Sequence, residues 1–122
     1  MSKIQITWSK LIPLRDEDIK KIDAIGGVYR ISKKAEDGNF YVFYVGSAEN
    51  IKEKLEQHLS ESETNPRLKD LLKLGGDFVF RYAVVTDESI QKAIEKQMYN
   101  TYLPEANLER PKSTLEMDAN LN

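Results

Sequence analysis

Two runs of β-branched and aromatic residues stand on either side of an Asp-Gly pair, and this arrangement constrains the chain more than any other feature. Residues 27–32 read GVYRIS, residues 39–47 read NFYVFYVGS, and Asp37-Gly38 lies between them. Val, Ile, Tyr and Phe suit a pleated, half-buried surface, and an Asp-Gly step supplies the positive φ of a tight turn. The pattern predicts an antiparallel hairpin. Strand side chains alternate faces, so a turn with an even number of residues places Tyr29 and Tyr44 on one face, and a one-residue slip separates them.

Helices are marked by apolar residues at helical spacing. Ala48, Ile51, Leu55 and Leu59 make one stripe through residues 49–60, with Lys54 and His58 along its border, one turn apart. A second stripe, Ile90, Ala93, Ile94 and Met98, runs through residues 87–101 and continues at Tyr102; Glu95 falls at its edge and Pro104 follows its end. Shorter helices are predicted over residues 16–25, between Pro13 and Gly26-Gly27, and from Pro66 through Leu72, closed by Gly75-Gly76. Residues 78–85 (FVFRYAVV) read as a third, buried strand. Residues 4–14, with Trp8, read as a strand or cap packed on the domain, and the polar tail past Asn107 is expected to be loose. This order implies an α/β (α+β) fold: a small, three-stranded, mostly antiparallel sheet flanked by helices.

Composition narrows the chemistry. At 122 residues and 40% apolar content the chain makes one domain with a sizeable core. The absence of cysteine excludes disulfides, thiol nucleophiles and thiolate zinc sites. Residues 1–10 lack the apolar stretch of a secretory signal and no run is long enough to span a bilayer, so an intracellular, cytoplasmic home without membrane contact is expected. A formal net charge of −2 and a pI near 5.5 argue against a strong non-specific grip on nucleic acid, unless the 18 basic residues gather on one face.

Gly27-Val28-Tyr29, then Tyr44-Val45-Gly46, then Ser47-Ala48-Glu49-Asn50-Ile51, His58, Glu95, Pro104 and Asn107 follow one another along most of the chain. This series resembles the motifs of GIY-YIG nucleases. The resemblance implies a domain at residues 27–107, an N-terminal flank at 1–26 packed on it, and a polar tail at 108–122. It also implies a metal-dependent endonuclease hydrolysing phosphodiester bonds of DNA, in repair or recombination, with Mg2+ or Mn2+ as cofactor. In-line attack on a phosphodiester needs a base for water, charge stabilisation of the phosphoryl oxygens and a cation at the leaving oxygen. By the resemblance Tyr29 is the general base or water positioner and Tyr44 supports the water or phosphate. Glu95 binds the metal, and His58 shares proton transfer or donates a hydrogen bond to phosphate. Asn107 holds the site together, while Gly27 and Gly46 let backbone pass closely.

Each of these residues alone has an ordinary explanation: strand aromatics for the tyrosines, a solvated helix face for His58 and Glu95. Their joint order outweighs those explanations. Arg30, Arg67 and Arg81 are candidate phosphate contacts, which a solvated surface explains about as well. Lys54 stands where the family pattern has arginine, keeping the charge but losing the planar fork that binds phosphate through two hydrogen bonds. Two functions therefore stay open: a DNA endonuclease, or a catalytically degenerate domain that binds nucleic acid or protein. With no appended DNA-binding module in view, a protein partner that supplies specificity is a further expectation.

Overall fold

The computed structural model describes residues 2–122, so Met1, the first residue of the expected flank, lies outside the described residues. In chain order the elements are β1 (Ser2–Ile4), β2 (Ile12–Pro13), α1 (Asp16–Ile19), β3 (Gly27–Lys34), β4 (Phe40–Ala48), α2 (Ile51–His58), α3 (Pro66–Lys73), β5 (Phe78–Val84), α4 (Glu88–Tyr102) and β6 (Met117–Ala119). The main sheet is antiparallel and runs β2-β5-β3-β4, which makes four strands where the sequence pattern predicts three. The extra strand is two residues long and ends in proline, so propensity carries no trace of it; its pairing of Ile12 with Phe80 and Pro13 with Val79 comes from tertiary contact.

The hairpin register sets the rest. Tyr29 pairs with Gly46 and Ile31 with Tyr44, so the two tyrosines share a face. One residue further the register shifts, because Ser32 faces Val42 and Phe43 is the extra residue of a bulge. That bulge turns Phe43 and Tyr44, neighbours in sequence, into the same core, with Ile51 and Leu55 of α2, Leu68 of α3 and Ile19 of α1. On the opposite face Val28, Val45 and Ala83 lie beneath Ile94 and Met98 of α4, joined by Ile6 and Ala119. Full burial of a Leu or Ile side chain contributes about 1.5–3 kcal/mol relative to exposure, so both layers hold the sheet.

Local signals explain where the helices begin. The side chains of Asn50, Asn65 and Asp87 accept from the amides of Glu53, Leu68 and Ile90, and Pro66 occupies the first turn of α3. Helix α4 ends at Leu103 in the left-handed region (φ 48°), just before Pro104. Helix α1 is shorter than predicted. After Ile19 the chain passes into tight turns, with Lys21 N–H donating to Asp18 O and Ile22 N–H to Ile19 O. A spacing of three serves such turns as well as a helix, and Ile22 still reaches the core.

The tail, expected to be loose, is tied down. Strand β6 pairs in parallel with β1, and two side-chain amides extend the pairing as if they were backbone. Gln97 exchanges two hydrogen bonds with Ala119, at 2.9 and 3.0 Å. Asn120 exchanges two with Ile6, at 2.7 and 2.8 Å. Among the described residues no helix is long and apolar enough to cross a membrane.

Candidate active site

The site begins where Tyr29 crosses the hairpin. Its side chain is fully buried and lies over Gly46, where a Cβ would stand 2.6 Å from the phenol oxygen. Only glycine leaves that space. Tyr29 Oη lies 2.7 Å from Nε2 of His58, in the last turn of α2. His58 Nδ1 in turn hydrogen-bonds Oε2 of Glu63, in the loop between α2 and α3. The His58 and Glu63 side chains are 1% and 3% exposed, so this row of three polar groups is sealed from water at its inner end. The Tyr44 ring lies 6.2 Å from that of Tyr29 and edge-on to His58 at 5.1 Å.

Glu95 reaches the same corner from α4. Ser47 follows Gly46 on β4, and its Oγ–H donates to Glu95 Oε1 at 2.6 Å; Lys92 Nζ lies 3.8 Å from the same oxygen. Burial, then the charge of Glu95, raises Tyr44 to about 12. Burial, then Tyr44 and Glu95, pushes Tyr29 well above the usual tyrosine value. A Tyr29 phenolate is therefore disfavoured, and any proton the oxygen takes up must be matched by passing its own to a neighbour. His58 suits that part, because burial lowers its pKa more than Glu63 raises it and the ring stays neutral at neutral pH.

Among the described residues there is no cluster of three or more His, Cys, Asp or Glu able to hold a metal. The donor set is instead one carboxylate, Glu95, held by a serine hydroxyl through one oxygen. That fits a hard cation which keeps most of its waters and takes its remaining ligands from a substrate phosphate. It does not fit a tightly caged structural metal.

The other expected site residues divide. Lys54 is half-buried one turn before His58, its Nζ 3.4 Å from Gln57 Oε1, and its charge contributes to lowering the histidine. Asn107 braces the edge strand, accepting from Val45 N–H at 3.0 Å and donating to Val45 O at 2.9 Å. Gly27 lies where a side chain would collide with the Ala83 carbonyl. Arg30, expected as a phosphate contact, points away from the site. Alternation turns it to the face opposite Tyr29, where it is buried at 4.6 Å from the Trp8 ring and donates to Leu121 O at 2.6 Å. Arg81 pairs with Arg30 across the sheet on that same remote face and donates to Ser9 O. Arg67 is exposed, and its guanidinium donates to Glu105 O.

Sequence reasoning assigned no part to Glu63 or Ser47. Strand alternation could have found Ser47, since it points with Val45 toward the face that α4 covers. Nothing in the polar run around residues 61–65 separates Glu63 from Glu61, which is exposed.

The model of the family described as the GIY-YIG catalytic domain matches residues 25–109, and the chain belongs to that family. Among solved structures it is similar to the GIY-YIG N-terminal endonuclease domain of UvrC from Thermotoga maritima bound to magnesium as its catalytic divalent cation. That similarity has 18% identity and a TM-score of 0.59, over 75% of this chain and 93% of the other. Two point mutants of the same domain, each bound to its catalytic divalent cation, match comparably. An asparagine-to-alanine form has 17% identity and a TM-score of 0.58, and a tyrosine-to-phenylalanine form has 18% and 0.57; each match covers 76% of this chain and 93% of the other. Likeness at this identity speaks to the fold. No curated protein matches the sequence.

Proposed function

We propose that this protein is a divalent-cation-dependent endonuclease that hydrolyses DNA phosphodiesters. The observation that carries the proposal is the 2.7 Å contact between Tyr29 Oη and His58 Nε2, beside a carboxylate that reaches the same corner from another helix. Once substrate and cation binding open the buried Tyr29 oxygen to water, that water gives a proton to the phenol oxygen as Tyr29 passes its own to His58 Nε2. The water oxygen bonds to phosphorus, the bond from phosphorus to the leaving sugar oxygen breaks, and that oxygen takes a proton from solvent. Glu95 would hold Mg2+ or Mn2+, which supplies positive charge for the phosphoryl and leaving oxygens. Tyr44, with its high pKa, stays a neutral donor able to orient the water or phosphate. Lys54 offers a point charge to phosphate.

A formal net charge of −2 offers little overall attraction for a long stretch of DNA, so a protein partner would supply substrate selection. The test is incubation of the purified protein with single-stranded, duplex and branched DNA in Mg2+ or Mn2+. Cleavage that disappears with a chelator and with Glu95→Gln supports the proposal. DNA left intact with either metal, where a related nuclease cuts, overturns it in favour of a domain that binds without cutting.

A further inference from the structure

We infer that Glu63 is a positioning residue for this chemistry: it fixes the ring hydrogen of His58 on Nδ1, so that Nε2 is free to take the proton of Tyr29. The inference rests on the endonuclease reading for its catalytic consequence, and on geometry alone for the ring's tautomer. Glu63 faces a ring nitrogen and a backbone N–H. Its Oε2 meets His58 Nδ1, and its Oε1 accepts from the Asn65 amide at 2.9 Å. A carboxylate so placed accepts at both oxygens, which puts a hydrogen on Nδ1 and, in a neutral ring, leaves Nε2 a bare acceptor.

The carboxylate is itself held firmly. Asn65 caps α3 through Leu68 N–H and donates from Nδ2 to Ala106 O at 2.8 Å, so the Glu63 loop is fastened both to a helix and to the segment that braces β4. Without such a partner a free imidazole can place its hydrogen on either nitrogen. With hydrogen on Nε2 the ring would donate to Tyr29 and could not receive its proton. When Tyr29 does pass its proton, His58 becomes an imidazolium 1% exposed to solvent, and Glu63 supplies the negative charge that such a buried cation needs. The other titratable or charged groups facing the ring are Tyr29 from β3, Tyr44 from β4 and Lys54 from its own helix, and none of them carries negative charge at neutral pH.

His58 is the only histidine in the chain, so its nitrogen-15 resonances report this arrangement without assignment ambiguity. In the unsubstituted protein at neutral pH, Nδ1 should show the shift of a protonated ring nitrogen and Nε2 that of an unprotonated one. The reverse pattern overturns the inference. Glu63→Gln keeps the size and removes the charge, so the histidine should titrate at lower pH and cleavage should fall by about 10²-fold or more at unchanged KM. The acid limb of its pH profile should move down with the histidine. A residue that merely supports the fold would lower the rate and leave that limb in place, and such a result sinks the assignment. The nitrogen spectrum needs no DNA. If it reads as expected while no DNA is cut, the endonuclease reading fails and the role of Glu63 on the ring stands.

Discussion

Tyr29 and Arg30 are neighbours on one strand, both buried, and they point to opposite faces of the sheet. Each has drawn polar partners into the protein, but of different kinds. Arg30 meets a backbone carbonyl and the faces of Trp8 and Tyr102, none of which exchanges a proton with it, and even with burial lowering its pKa the guanidinium stays charged. Tyr29 meets an imidazole backed by a carboxylate, groups between which a proton can move. One face therefore uses burial to fasten chain to chain, and the other uses it to confine a proton path. Substitutions on the two faces should separate stability from chemistry.

The largest effect is expected at Tyr29→Phe, which removes one oxygen from a packed ring. Cleavage should fall about 10²- to 10⁴-fold while stability drops by only about 1 kcal/mol as buried His58 Nε2 loses its partner; a variant that still cuts would break the contrast. Arg30→Met should do the opposite, costing about 1–3 kcal/mol in denaturant unfolding and speeding hydrogen exchange at residues 117–121, with cleavage of the folded protein retained. Asn107→Ala leaves Val45 N–H and C=O without their side-chain partner, and a loss of about 1–2 kcal/mol together with weaker cleavage would show that the brace serves both.

Acid sharpens the comparison without mutation. The folded pKa of His58 lies below its ordinary value of about 6.5, so between those two values the unfolded chain binds more protons. The stability this histidine contributes is fully present above about 6.5 and is lost as pH falls toward the folded pKa. Thermal melts across this range should show the loss in the protein and not in His58→Gln. The smallest change is expected from Lys54→Arg, a gain in cleavage within about tenfold through the second hydrogen bond to phosphate. A fall instead would indicate that the half-buried pocket beside Gln57 is shaped for the narrower ammonium stem.

The shared face of Tyr29 and Tyr44 was only half legible. Residues 35–39, between the paired Lys34 and Phe40, make an odd turn that alone would separate the two. The bulge at Phe43, between the turn and both tyrosines, supplies the extra residue that brings them together. Helices α2 and α4 were legible from their stripes and capping residues. What escaped notice was built by partners distant in sequence. Strand β2 exists because β5 lies beside it, and β6 because β1 and Gln97 receive it. Glu63 escaped because an irregular loop has no period from which to read its direction. Arg30 misled for a simpler cause: a positive charge near a site in sequence was one alternation away from it in space.

The brace at Asn107 has a consequence beyond the site. Strand β4 is one of the two outer strands of the sheet, and an outer strand offers its free backbone groups to any other extended chain. Here Val45 N–H and C=O are taken by the Asn107 side chain, and the Phe43 carbonyl by the Ala106 amide. The same short segment that steadies the strand beneath the tyrosines thus shields it from strand exchange between molecules, so weakening it should cost colloidal stability and invite self-association.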